Sequence, residues 1–231
     1  MQYEFIETTN ADYETYTYPY EVFARKETGD TYAEILAKGF VPTRLEVGYF
    51  QLARATRVDL SQFEMSSENR RIARKTENLT LELKSLSDFP YTWEIGAFAK
   101  RFYETKFGKG KMSAQKMKWV FTSGAFSDVF IYSAKAVANG SIGYCPILLD
   151  KTAIYYAYPF YDLEYKNNNI GIGMMLKAIQ YAKEAGKKYI YLGTCYTPSA
   201  LYKTQFKGFE WFNGKAWSSD IKQLKSLVRA A

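Results

Sequence analysis

Between residues 153 and 193 the chain runs through an apolar strand, a glycine-opened helix and a second apolar strand, and no other segment constrains the fold as much. Residues 153–160 are almost wholly apolar or aromatic. Residues 171–185 set Ile172, Met175, Leu176, Ile179 and Ala182 at helical spacing and stop at Gly186, and KKYIYLG follows as a short strand. A strand, crossover helix and strand in this order normally pair their strands in parallel, with a right-handed connection. The sequence therefore predicts an α/β fold.

Elsewhere the periods alternate between helix and strand. Residues 30–39 place Tyr32, Ile35 and Leu36 on one helical face and end on a glycine. Residues 48–60 alternate as one strand, SQFEMSSENRRIARKTE turns helical, and residues 78–86 alternate again. A helix is expected over 92–106 around Trp93, Ile95, Phe98, Phe102 and Tyr103, and another over 114–121. Strands are expected over 128–137 and 144–149, with Asn139-Gly140 as the turn. Residues 1–20 have no clean period. A length of 231 residues suits one substantial core, so residues 1–43 are expected to form an extension with a short helix and 44–231 one catalytic-sized domain.

The chain has no histidine, which removes Ser-His and Cys-His nucleophile pairs, histidine general bases and the usual histidine-containing metal sites. Proton transfer falls to carboxylates, tyrosine, lysine, substrate or water. Cys145 and Cys195 stand alone, so neither a disulfide framework nor a metal site is indicated. The net charge of +7 favours a polyanionic partner or an acidic substrate. No apolar run spans a bilayer and the start does not read as a signal peptide, so a cytoplasmic protein without a membrane partner is expected.

Three groups of residues invite a chemical reading. Asn168, Gly171 and Gly173 open the helix after a strand, where bare backbone and the helix dipole favour a phosphate; a tight turn with close packing uses the same residues. Their placement resembles the acyl-CoA loop of GNAT acyltransferases, with Asn168 where that loop has Gln or Arg. A second group is basic: Arg54 and Arg57 on the first long strand, and Arg70, Arg71, Arg74 and Lys75 on the following helix. Like charges four apart, such as Arg70 with Arg74, repel slightly unless an anion lies between them, and RNA phosphate or an acidic acceptor supplies one. A solvated helix face accounts for any single member.

The third group is an ordered series: Tyr161-Asp162-Leu163-Glu164-Tyr165, Ile170-Gly171, Tyr191-Leu192-Gly193, Tyr202-Lys203-Thr204-Gln205-Phe206 and Asn213-Gly214-Lys215-Ala216-Trp217. Upstream stand Leu36-Ala37-Lys38-Gly39-Phe40 and Asn69-Arg70-Arg71-Ile72-Ala73-Arg74. In order and spacing the series resembles the landmarks of the arginyl- and leucyl-tRNA–protein transferases, from about Tyr32 to Trp217. Leu163 replaces the family's proline, and the N-terminal cysteine cluster of the family is absent.

The resemblance implies a GNAT-type mixed sheet flanked by helices. It implies transfer of an amino acid from aminoacyl-tRNA to the N-terminal α-amine of a protein or peptide, without a further cofactor. An aminoacyl ester is already activated and an α-amine has a pKa of about 7.7–8.0, so the enzyme needs chiefly to position, to stabilise an oxyanion and to take up a proton. Asp162 and Glu164 are the expected proton acceptors or amine-orienting groups, with Tyr165 as donor; helix capping fits the two carboxylates as well. Arg54, Arg70, Arg71, Arg74, Asn168, Gly171, Gly173, Tyr202, Lys203 and Gln205 are the expected substrate and tRNA contacts. Two other functions fit the same features: an N-acyltransferase using acyl-CoA, and a non-catalytic tRNA- or peptide-binding relative.

Overall fold

The computed structural model describes residues 1–6, 21–134, 140–165 and 169–229. In chain order they form β1 (Gln2–Ile6), β2 (Glu21–Arg25), α1 (Tyr32–Ala37), β3 (Phe40–Pro42), β4 (Tyr49–Leu52), β5 (Ala55–Asp59), α2 (Ser67–Lys75), β6 (Leu79–Ser85), α3 (Trp93–Phe107) and α4 (Ala114–Thr122). There follow β7 (Asp128–Ala134), β8 (Ser141–Leu149), β9 (Ala153–Tyr156), β10 (Phe160–Tyr161), α5 (Ile170–Glu184), β11 (Tyr189–Thr194), a 3-10 helix (Pro198–Gln205), β12 (Phe209–Phe212), β13 (Trp217–Ser218) and α6 (Ile221–Arg229). The mixed α/β class expected from the sequence is the class observed. Among the described residues no helix is long and apolar enough to cross a membrane.

The chain divides into two compact units. The first holds residues 1–65, 150–155 and 185–231; the second holds 66–149 and 156–184. In the first unit β1, β2, β4 and β3 form an antiparallel sheet in that order. In the same unit β13, β12, β5, β11 and β9 are hydrogen-bonded in sequence, and β11 runs parallel to β9, as a crossover unit requires. Leu224 and Val228, four residues apart on α6, bury against Phe209, Trp211 and Cys195. Thr31 and Glu34 cap α1 reciprocally.

The expected strand over 48–60 is two strands in two sheets. The break falls at Ala53 and Arg54, whose backbone N–H groups donate to the Gly39 carbonyl at 3.1 Å and to the Tyr196 hydroxyl at 3.0 Å instead of to a neighbouring strand. Leu52-Ala53-Arg54-Ala55 contains no glycine or proline to mark a break, and Ala and Arg fit a strand and a crossover equally, so the sequence alone does not show the change of sheet.

In the second unit β6, β7 and β8 are antiparallel and β10 pairs with β8. The expected strand over 153–160 stops after Tyr156: Tyr158 has φ 47, and Phe160 and Tyr161 pair with Tyr144 and Gly143. The α2 helix begins only at Ser67, where Ser66 and Asn69 form the capping box, so residues 61–65 of the predicted helical stretch stay outside it. Trp93 opens α3 but is 75% exposed, whereas Gly96, Ala99 and Phe102 face inward. Rings of Phe98, Phe121, Tyr144 and Phe160 fill the space between α3, α4 and the sheet. The predicted turn residue Asn139 and the end of the strand over 128–137 lie outside the described residues.

Candidate functional site

In the first unit, β11 is the strand where pairing changes sense. It is parallel to β9 through Tyr189–Tyr191 and antiparallel to β5 on its other edge. In α/β sheets ligands bind outside the carboxyl ends of the parallel strands. The β11–β5 register shifts between Tyr191 and Thr194, and Gly193 sits there with φ +75, a conformation that favours glycine. The bulge turns two carbonyls toward side chains: Thr56 donates its hydroxyl to Gly193 O at 3.0 Å, and Lys203 donates its Nζ to Thr194 O at 2.8 Å.

Just beyond the strand, the Cys195 N–H donates to Arg54 O at 3.0 Å, and the Arg54 guanidinium stands 5.5 Å from the Tyr196 ring centre. Arg54 is 2% exposed and Lys203 8%, so two cationic side chains are buried at this strand end. Burial pulls the Lys203 amine down to about 8, with the Cys195 thiol acting weakly the other way. The thiol itself is pushed up by burial and pulled back by Lys203 and Arg54.

The 3-10 helix explains why Lys203 is inside. With three residues per turn rather than 3.6, Lys203 and Phe206 face inward while Tyr202 is 44% exposed. Gln205 donates its side-chain amide to Tyr202 O at 2.7 Å and so braces the helix.

In the second unit, the loop before α5 is built on Asp162. Its backbone N–H donates to Ile142 O at 2.8 Å, and its Oδ1 accepts from the Glu164 N–H at 2.9 Å. Glu164 is exposed and Tyr165 half-buried. A cleft of about 500 Å3 opens here, with Phe98, Phe102 and Tyr161 as its apolar wall and Arg101, Asp162 and Glu164 among its polar groups. Gly171 and Gly173 are accounted for by packing: a Cβ on Gly171 would fall 2.8 Å from the Tyr161 hydroxyl, and one on Gly173 2.6 Å from Thr76 Cγ2 at the end of α2. Asn168 lies outside the described residues.

The α2 arginines divide. Arg71 is held by Glu68 one turn earlier, with Nε at 2.7 Å from Oε2, while Arg70 and Arg74 are exposed. Arg57 is corrected from the basic set: its Nε is 2.7 Å from Glu210 Oε2, and its guanidinium lies 3.8 Å from the Tyr189 ring centre and 4.0 Å from that of Trp217. Its charge is answered inside the fold. Both cysteines are free and buried. The first unit thus brings together Arg54, Lys203 and, on the same helix, Tyr202 and Gln205. The second holds Asp162, Glu164, Tyr165, Gly171, Gly173, Arg70, Arg71 and Arg74. Gly193, Cys195 and Tyr196 were not singled out as site residues from sequence, although Tyr191-Leu192-Gly193 marked the strand end.

Residues 116–213 match the sequence model described as the arginine-tRNA-protein transferase C terminus. That stretch is similar to the arginine-tRNA-protein transferase family. An "Aspartate/glutamate leucyltransferase" of Ruegeria pomeroyi is 27% identical to this chain over 175 residues, covering 71% of this chain and 61% of that one. A protein of the same name from Saccharophagus degradans is 26% identical over 171 residues, 71% of this chain and 70% of that one. The match thus spans 61% of the first relative's length. Among solved structures, L-PGS from Bacillus licheniformis superposes on this chain with a TM-score of 0.46 at 11% identity, covering 85% of this chain and 69% of that one.

Proposed function

We propose that this chain transfers an amino acid, leucine in particular, from aminoacyl-tRNA to the N-terminal α-amine of a protein or peptide that begins with aspartate or glutamate. The observation that carries the reading is the family match over residues 116–213, a stretch that includes both the Asp162 loop and Lys203. The relatives' names supply the choice of leucine and of acidic acceptors. The buried cations at the end of β11 suit this chemistry, because a developing oxyanion and a tRNA phosphate are both anionic. In the second unit, the acidic groups of the Asp162 loop beside an aromatic wall suit an ammonium group attached to an apolar side chain.

The donor tests the reading. Leucyl-tRNA at about 100 times its Kd is expected to stabilise the protein by about 2.7 kcal/mol, visible as a raised unfolding temperature that falls as salt is added. Coenzyme A is expected to leave that temperature unchanged. Protection by coenzyme A and none by leucyl-tRNA would replace this reading with acyl-CoA transfer.

A further inference from the structure

We propose that the buried Lys203 amine, held at the carboxyl end of β11 by the Thr194 carbonyl, is the base that takes the proton from the acceptor α-amine as the new amide forms. The inference rests on the transferase reading and assigns the proton transfer within it. In a chain without histidine the base must be another group, and the carboxylates expected from sequence are otherwise engaged or exposed: Asp162 accepts from the Glu164 N–H, and Glu164 stands in solvent. Lys203 differs on both counts. Its Nζ meets one carbonyl at 2.8 Å, and among the described residues it forms no ion pair.

The surroundings of Lys203 favour a neutral amine. Cys195 is the titratable group whose charge acts on it, and Arg54 acts on that same thiol. Of the elements packed on the 3-10 helix, β12 carries Glu210, which Arg57 holds, and α6 carries Lys222, Lys225 and Arg229 but no carboxylate. Neither element offers the amine a free carboxylate, and burial outweighs the Cys195 thiol and brings the amine to about 8. Gly193 keeps a side chain off the amine: a Cβ at that residue would lie 3.9 Å from Nζ, in van der Waals contact, and glycine has none. A base whose pKa is near the working pH accepts and returns a proton with little penalty either way.

In the step, the acceptor amine nitrogen bonds to the ester carbonyl carbon. Its extra proton passes to the Lys203 lone pair, giving an ammonium. Collapse of the tetrahedral intermediate then breaks the carbon–oxygen bond to the tRNA ribose, and the ammonium returns its proton to that oxygen. Lys203 ends neutral, and the products are an extended peptide and deacylated tRNA.

The test uses single-turnover transfer at saturating acceptor peptide, where ionisation of the free peptide no longer contributes. The wild-type rate is expected to rise with pH through about 8 and then level off. Lys203→Arg, which stays cationic throughout, is expected to lose about 100-fold in kcat with little change in KM. Equal kcat in Lys203→Arg, with a raised KM in Lys203→Met, would overturn the proposal and make the lysine an anion contact. The proton equilibrium is checked without activity by NMR of 13C-labelled lysine in the wild type. One side chain titrating near 8, absent from Lys203→Met, is expected; titration in the ordinary lysine range overturns the proposal. Absence of transfer in the wild type with any charged tRNA is a different result: it sinks the transferase reading on which the step depends.

Discussion

Gly39→Val is expected to destabilise the first unit by about 4 kcal/mol, the sum of backbone strain and overpacking. Gly39 has φ +85, where a β-branched residue is strained, and a Cβ built there falls 2.3 Å from Cδ1 of the Phe212 ring. That ring has little room to move: Phe212 is 6% exposed and lies 5.4 Å, centre to centre, from Trp217. The backbone is fixed as well, since the Gly39 N–H donates to Leu36 O at 3.0 Å and its carbonyl accepts from Ala53. Gly29→Ala is the control, because Gly29 has φ +95 with nothing within 4 Å of the added Cβ. It is expected to cost about 1–2 kcal/mol from strain alone. Urea unfolding followed by circular dichroism separates the two, and equal losses would mean that Phe212 is not what demands a glycine.

The second large effect concerns Arg57. Its side chain is 8% exposed and that of its partner Glu210 is 21% exposed, so removing the guanidinium leaves a carboxylate mostly out of water with no cation beside it. Arg57→Met is expected to destabilise by about 3 kcal/mol, at the lower end for a broken buried pair because Glu210 keeps some solvent. The flat guanidinium also bridges Tyr189 and Trp217, and Trp217 in turn donates its indole N–H to Ala37 O at 2.7 Å. The double variant Arg57→Met with Glu210→Leu is expected to recover part of the loss, since a matched apolar pair leaves no orphaned charge. If the double variant is no more stable than Arg57→Met alone, the loss comes from the stacked rings rather than from the stranded carboxylate.

What the sequence disclosed follows from the range of the forces involved. The helix over 171–185, the strand after it and the glycine stop of α1 were legible because period and glycine stops act within a few positions. The change of sheet at Ala53 and Arg54 was not, because it depends on partners far along the chain, Gly39 and Tyr196. The same distance hid the fate of Arg57, whose partner Glu210 is 153 positions on. Lys203 was legible as a residue of interest and illegible as a buried one, since its inward direction comes from a 3-10 rather than an α-helical turn. Gly171 and Gly173 were visible as a motif, but the Tyr161 ring and Thr76 that crowd them appear only once the chain is folded.

The most direct test of the account is peptide mass after the pure protein is incubated with a total pool of charged tRNA and peptides beginning with Asp, Glu, Cys or Ala. The account predicts that the Asp and Glu peptides gain the mass of one leucine residue and that RNase treatment abolishes the gain. Unchanged masses with charged tRNA, and acetylated peptides once acetyl-CoA is added, would contradict it.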